Sequence, residues 1–173
     1  MENKIMTPVT KGLVLSLIVI VVGIVGYMAN IDTQTWYKWI STVVICAGVI
    51  WACIYYAQQL DGRVTFGNIF VHGFKTSAVV ALILVAYFVL ATTVIFPGMK
   101  ERAMEAARQQ MEKNEKLTED QVNQGMEIAR KFFMIIGIAG TILGTLIAGV
   151  IASLIGAAAA KKKPVSQLDQ FPS

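Results

Sequence analysis

Histidine occurs once, cysteine twice and proline four times in the 173 residues. One histidine is too few for most catalytic triads, and a tetrahedral metal centre draws on several His and Cys ligands. Cys46 and Cys53 fall two turns apart on one apolar run, about 10 Å along a helix axis, so they cannot be joined to each other. Both read as small buried apolar side chains. Gly-x-Ser-x-Gly, a phosphate-binding P-loop and His-Glu-x-x-His are missing as well. The expectation is a chain that is not an enzyme, with no catalytic residue, no cofactor and no metal.

Charge is scarce too: 15% of residues are Asp, Glu, Lys or Arg, against roughly 25% in a soluble domain. The scarcity is localised. Gly12–Ala29, Trp39–Ala57, Thr76–Phe96 and Phe132–Ala160 contain no Asp, Glu, Lys, Arg or His. A helix needs about 20 mostly apolar residues to cross the hydrocarbon core, where lipid offers no partner to an unpaired backbone group. Each run meets that requirement, and none shows the period-two alternation of an outer-membrane barrel strand. Lys4 and Lys11 precede the first run in the manner of a secretion signal, but no Ala-x-Ala-like cleavage pattern follows Ala29, so it is read as a retained span.

What is present is therefore 55% hydrophobic residues with a mean hydropathy of +0.61, sorted into one all-α, polytopic membrane domain over 1–173. The expected spans are 12–29, 39–57, 71–96 and 132–160, forming a four-helix bundle. Asn30–Lys38 is short enough to make the first two spans an antiparallel hairpin, with Trp36, Tyr37 and Trp39 at the lipid boundary. Ahead of the third span, Phe66, Phe70 and Phe74 recur every four residues and share one helical face. We read this stretch as an interfacial helix in which Gly67 and Gly73 admit close backbone approach, while His72 and Lys75 snorkel to the headgroups. A proton-sensing role for His72 is disfavoured because no carboxylate lies near it in sequence.

Between the third and fourth spans, Met99–Lys131 carries seven basic residues (100, 102, 108, 113, 116, 130, 131) and seven acidic ones (101, 105, 112, 115, 119, 120, 127). Such density with no net charge predicts a solvated helical hairpin, broken near Asn114–Thr118. Its second arm is opened by a capping box of Thr118 and Gln121. Glu112–Lys116 and Glu127–Lys131 stand at the spacing of stabilising ion pairs. Met99, Ala103, Ala106, Ala107 and Met111 on one arm, with Val122, Met126 and Ile128 on the other, form an apolar stripe that either seals the hairpin or meets a partner. The tail 161–173 reads as disordered.

The fourth span carries rows of small residues at i+4: Gly140, Gly144, Ala148, Ala152, Gly156 and Ala160 beside Gly137, Thr141, Thr145, Gly149, Ser153 and Ala157. Small residues let membrane helices approach closely, so these are the expected helix-packing residues, within the chain or between copies. On topology, seven basic residues lie on the side of the termini (Lys4, Lys11, Arg63, Lys75, Lys161, Lys162, Lys163). Eight lie opposite (Lys38, Lys100, Arg102, Arg108, Lys113, Lys116, Arg130, Lys131), so the positive-inside count does not choose. The cluster Lys161–Lys163 at a span boundary favours cytoplasmic termini.

Val64–Phe74, VTFGNIFVHGF, resembles the signature stretch of the family called domain of unknown function 4199. The helix number, the charged hairpin and the length are similar over nearly the whole chain. The resemblance implies a multi-pass inner-membrane protein of Bacteroidetes-type bacteria, and brings no functional residue with it. The leading functional expectation is a structural or accessory subunit that acts by helix packing and by partner binding through 99–131. Its partners would be the lipid bilayer and a membrane protein or further copies of itself, and no nucleic acid. One alternative is a small transporter or channel with Thr141, Thr145 and Ser153 lining a pore. Another is a lipid-binding or envelope-stress sensor using Lys161–Lys163.

Overall fold

The computed structural model describes residues 6–113 and 118–161. Among them are six α-helices and no strand: α1 (Pro8–Met28), α2 (Thr35–Gln59), α3 (Phe66–Leu90, continued by a π-helical turn Ala91–Ile95), α4 (Met99–Glu112), α5 (Glu119–Lys131) and α6 (Phe133–Ala159). Four segments are long and apolar enough to cross a membrane: Pro8–Met28, Trp39–Gln59, Phe66–Ile95 and Phe133–Ala159. They run alternately up and down. The chain is thus a multi-pass membrane protein, with one face carrying the start of α1, the α2–α3 turn and the end of α6, and the other carrying α4 and α5.

Local chemistry sets the helix ends. Thr7, Thr65 and Thr118 are N-caps whose hydroxyls accept from the backbone N–H three residues on, and Pro8 fills a first-turn position where no N–H is needed. Thr118 and Gln121 complete the anticipated capping box. Thr118→Ala should therefore cost about 1 kcal/mol of local stability, seen as faster amide exchange over Glu119–Val122 with α6 unaffected.

At the other ends, α1 and α2 both close in Schellman geometry. Asn30 N–H donates to Tyr27 and Ile31 N–H to Gly26, while Asp61 N–H donates to Gln58 and Gly62 N–H to Ala57. Asn30, Asp61 and Gly62 all adopt positive φ, a region open to Asn, Asp and Gly at modest cost. Pro97-Gly98 then stops the third span after its π-helical turn.

α3 packs against α1, α2 and α6, and the burial pattern inverts that of a soluble protein. Ser16, Thr76, Ser77 and Ser153 are fully buried, whereas Leu82 is 70% and Val94 72% exposed. Lipid is as apolar as leucine, so large aliphatics face outward and small side chains occupy the contacts. The buried hydroxyls of Ser16, Thr76, Ser77 and Thr92 turn back to carbonyls of their own helices at 2.8–3.0 Å.

The small-residue rows of α6 are used unequally. Gly137 lies under the Phe88 ring, Gly149 against Ser77, and Gly156 against Cys53 and the Ile50 backbone. Ala148, Ala152, Ala157 and Ala160 are buried. Gly140 and Gly144, by contrast, are exposed, and a Cβ added at either would meet nothing within 4 Å. Within one copy the seam passes these two glycines by, because α3 crosses α6 along the row that contains Gly149.

Other expectations need amendment. The segment from Phe66 does enter the third span, as the unbroken start of α3. Phe66 and Phe74 are exposed there, with Phe70 stacked 6.3 Å from Phe74, and Gly67 has open space around it. Glu112 pairs with Arg108 at 2.7 Å, and the pair Glu127–Lys131 is not formed among the described residues; Lys131 Nζ instead lies 5.7 Å from the centre of the Phe132 ring. The expected hairpin break at 114–117, Lys116 with it, and the tail beyond Lys161 fall outside the described residues.

Candidate functional site

Two polar centres stand at opposite faces. The first is built at the start of α1. Lys11, one turn after the Thr7 cap, points inward and is 2% exposed. Its Nζ donates to the Ala52 carbonyl of α2 at 3.3 Å and stands 3.1 Å from His72 Nε2 of α3. The rings of Tyr55 and Tyr56 lie 5.0 and 5.7 Å from the same nitrogen, within cation–π range. Tyr56 stacks on the His72 imidazole at 4.0 Å and 13°. An ammonium has donors only, so with Lys11 charged His72 Nε2 is the acceptor and the ring proton sits on Nδ1.

Below this pair lies a layer of minimal side chains. Cys53, Gly73, Ser153 and Gly156 come together from α2, α3 and α6, and a Cβ on Gly73 would press on Cys53 Sγ and stand 2.6 Å from Ser153 Oγ. Above it a cleft of about 440 Å³ opens, lined by Met6, Thr7, Pro8, Tyr56, Asn68, Val71, His72 and Lys75. Thr7, Pro8 and Asn68, at the starts of α1 and α3, line this cleft, so the positive ends of two helix dipoles lie at its level.

Sequence reasoning read Lys11 as a boundary charge and His72 as snorkelling. Lys75 is exposed as expected, but His72 is 6% exposed and turns inward. The signal was in the periodicity: Ile69, His72, Gly73, Thr76 and Val80 are buried along one face, at the i, i+3, i+4, i+7 spacing of a core stripe. An ionisable group on such a stripe in a membrane helix marks a functional site by default.

The second centre holds α4 to the α1–α2 connection. Arg102 donates to the Tyr27 carbonyl at 3.2 Å, lies 4.5 Å over the Tyr27 ring and stands 3.9 Å from Asp32. Tyr27 in turn packs on Phe96 with ring centres 4.3 Å apart. Where α4 and α5 meet the spans, an apolar cleft of about 450 Å³ is lined by Met99, Ala103, Ala107, Phe88, Phe133 and Ile136. Along the arms Met111 reaches Gly125 and Val122 is buried, while Ile128 is 58% exposed. The apolar stripe divides, part of it closing the hairpin and part lining the cleft.

The three hydroxyls named for a pore differ in their settings. Thr141 bonds back to Gly137 at 2.8 Å, and Thr145 and Ser153 are buried. Neither cysteine is bridged, and Cys53 points its thiol at the Ile69 carbonyl at 3.7 Å.

No curated protein and no solved structure matches the chain. The sequence profile of the family described as protein of unknown function DUF4199 matches residues 10–162, a span that takes in Lys11, His72, the VTFGNIFVHGF stretch, α4, α5 and the whole of α6. The chain is a member of the DUF4199 family.

Proposed function

We propose that this chain is a non-catalytic accessory protein of a bacterial inner membrane, whose four-helix bundle seats it in lipid and whose 99–131 hairpin engages a second membrane protein. One observation carries the reading. The hairpin is held in a set orientation by Arg102 on Tyr27 and Asp32, yet α4 buries no residue at all and α5 only Val122. Holding a charged helix pair rigidly costs conformational entropy, and an exposed, oriented surface is what recognition requires. The apolar cleft at its base suits a large aliphatic or aromatic side chain presented by the partner, with the charged flanks setting the approach.

Photocrosslinking tests this reading. A photoreactive residue at exposed Gln109 or Arg130, in membranes containing the full chain, is expected to give one discrete heterologous protein adduct, and one at lipid-facing Leu82 is not. Arg102→Ala should reduce that adduct severalfold while leaving the amount of membrane-inserted chain unchanged. Adducts with lipid alone, or none at all, from both hairpin positions would exclude the partner role.

A further inference from the structure

We infer that the cleft between the N-terminal ends of α1 and α3 is a binding site for the phosphate group of an anionic phospholipid. This goes beyond the partner reading and does not depend on it, since the site lies on the opposite face from the hairpin. Charge balance is the starting point. Lys11 is 2% exposed, and its contacts are a carbonyl, an imidazole nitrogen and two tyrosine rings. None of these is an anion, and among the described residues the ion pairs are Arg102–Asp32 and Arg108–Glu112 only. Burying an ammonium without a counter-charge is costly, and carbonyl and ring contacts offset part of that cost.

The cleft beside it adds further positive potential. Lys75 stands at the rim, Asn68 and Thr7 supply polar side chains, and none of the described residues lining the cavity is a carboxylate. The starts of α1 and α3 both line this space, so the positive ends of two helix dipoles add to the potential there. Lys75 and Asn68 are on one face of α3, at i and i+7 spacing with His72 between them, so two exposed polar side chains flank the imidazole that rests on Lys11.

Depth selects the source of the phosphate. Thr7 and Asn68 lie within the first turn of their helices and Tyr56 within the last turn of α2, so the cleft sits where an apolar span gives way to its headgroup layer. Exposed Val9, Phe66, Val71 and Phe74 surround this level and offer an apolar surface to acyl chains. A lipid phosphate arrives there with its chains already in the bilayer; a soluble phosphate would have to be drawn out of water.

The test uses the full-length protein in a neutral detergent, with lipid binding read by native mass spectrometry and by the shift in thermal unfolding. Dioleoyl phosphatidylglycerol should bind saturably at one site, and dioleoylglycerol, which has no phosphate, should not. Lys75→Ala and Lys11→Met should each weaken the phosphatidylglycerol affinity about fivefold, the effect of one basic residue at an anionic surface. Lys161→Ala, an exposed lysine on the same face but outside the cleft, should leave it unchanged. Because Lys75 is exposed, its variant folds whatever happens at Lys11. Equal affinity in all three variants, or an effect of Lys161→Ala as large as that of Lys75→Ala, would overturn the assignment in favour of diffuse surface attraction. Saturable binding of inorganic phosphate that phosphatidylglycerol does not displace would overturn the lipid source.

Discussion

Replacing Gly73 by leucine is expected to abolish the folded membrane domain, whereas the same replacement at Gly144 leaves it intact. Gly73 has the backbone of α3 pressed into the layer where Cys53 of α2 and Ser153 of α6 meet; even a methyl group there would stand 2.6 Å from Ser153 Oγ and closer to Cys53 Sγ. Neither neighbour is the free end of a flexible side chain. Cys53 and Ser153 are completely buried, so relief requires three helices to move apart. Overpacking of this kind typically costs about 1–3 kcal/mol for added methylenes, and a full leucine at a three-helix junction should exceed the upper figure. Gly73→Ala should fall within the range. At Gly144 the added side chain meets nothing within 4 Å, so Gly144→Leu should stay within about 1 kcal/mol of wild type, with the gain in helix propensity in its favour. Unfolding titrated with sodium dodecyl sulfate from mixed micelles, at low protein concentration so that self-association does not contribute, reads both. Equal losses at the two sites would mean that the outer glycine row is as tightly packed as the inner one.

This contrast marks how far the fold could be read from the sequence. The four apolar runs, the Thr118 capping box and the stop at Pro97-Gly98 depend on neighbours in sequence, and each reappears in the helix boundaries. Small-residue rows are different in kind. Spacing shows that Gly140, Gly144 and Gly149 lie on neighbouring strips of one helix, but which strip meets α3 depends on the rotation of α6 about its axis, a property of the whole packing. Only the packing of the whole bundle distinguishes Gly149, closed against Ser77, from Gly144, open to its surroundings.

The buried cation illustrates a second limit. Lys11 precedes the first uncharged run by one residue, where lysines ordinarily extend to the headgroups. Its inward turn is set by elements 41 and 61 positions away, through the Ala52 carbonyl and His72. Had His72 been placed on the stripe of Ile69, Gly73 and Thr76, its burial would have been legible; its partner would not. The expected Glu127–Lys131 pair failed for a milder reason. Exposed pairs at i+4 are worth only about 0.3–0.5 kcal/mol, so Lys131 is free to lie over the Phe132 ring instead.

The energetic meaning of the Lys11–His72 contact can be isolated by a double-mutant cycle. His72→Ala alone removes the acceptor 3.1 Å from a buried ammonium and the ring stacked on Tyr56. A hydrogen bond to a charged group is worth about 1.5–3 kcal/mol, and aromatic stacking about 0.5–1.5. The single variant should therefore lose about 3 kcal/mol. Lys11→Met keeps most of the side-chain volume and removes the charge, so it should be close to neutral, because the loss of two hydrogen bonds is offset by the relief of a buried ion. In the Lys11→Met background the imidazole has no ammonium to accept from, and His72→Ala should then cost only the stacking contribution, about 1 kcal/mol. The resulting coupling, about 1.5–3 kcal/mol, is far above the 0.3–0.5 kcal/mol within which independent sites add. His72→Gln retains an acceptor and should recover part of the loss only while Lys11 is present. A coupling below about 0.5 kcal/mol would make the two residues neighbours without a shared role, and would move the stabilisation of the ammonium to the Ala52 carbonyl and the two tyrosine faces.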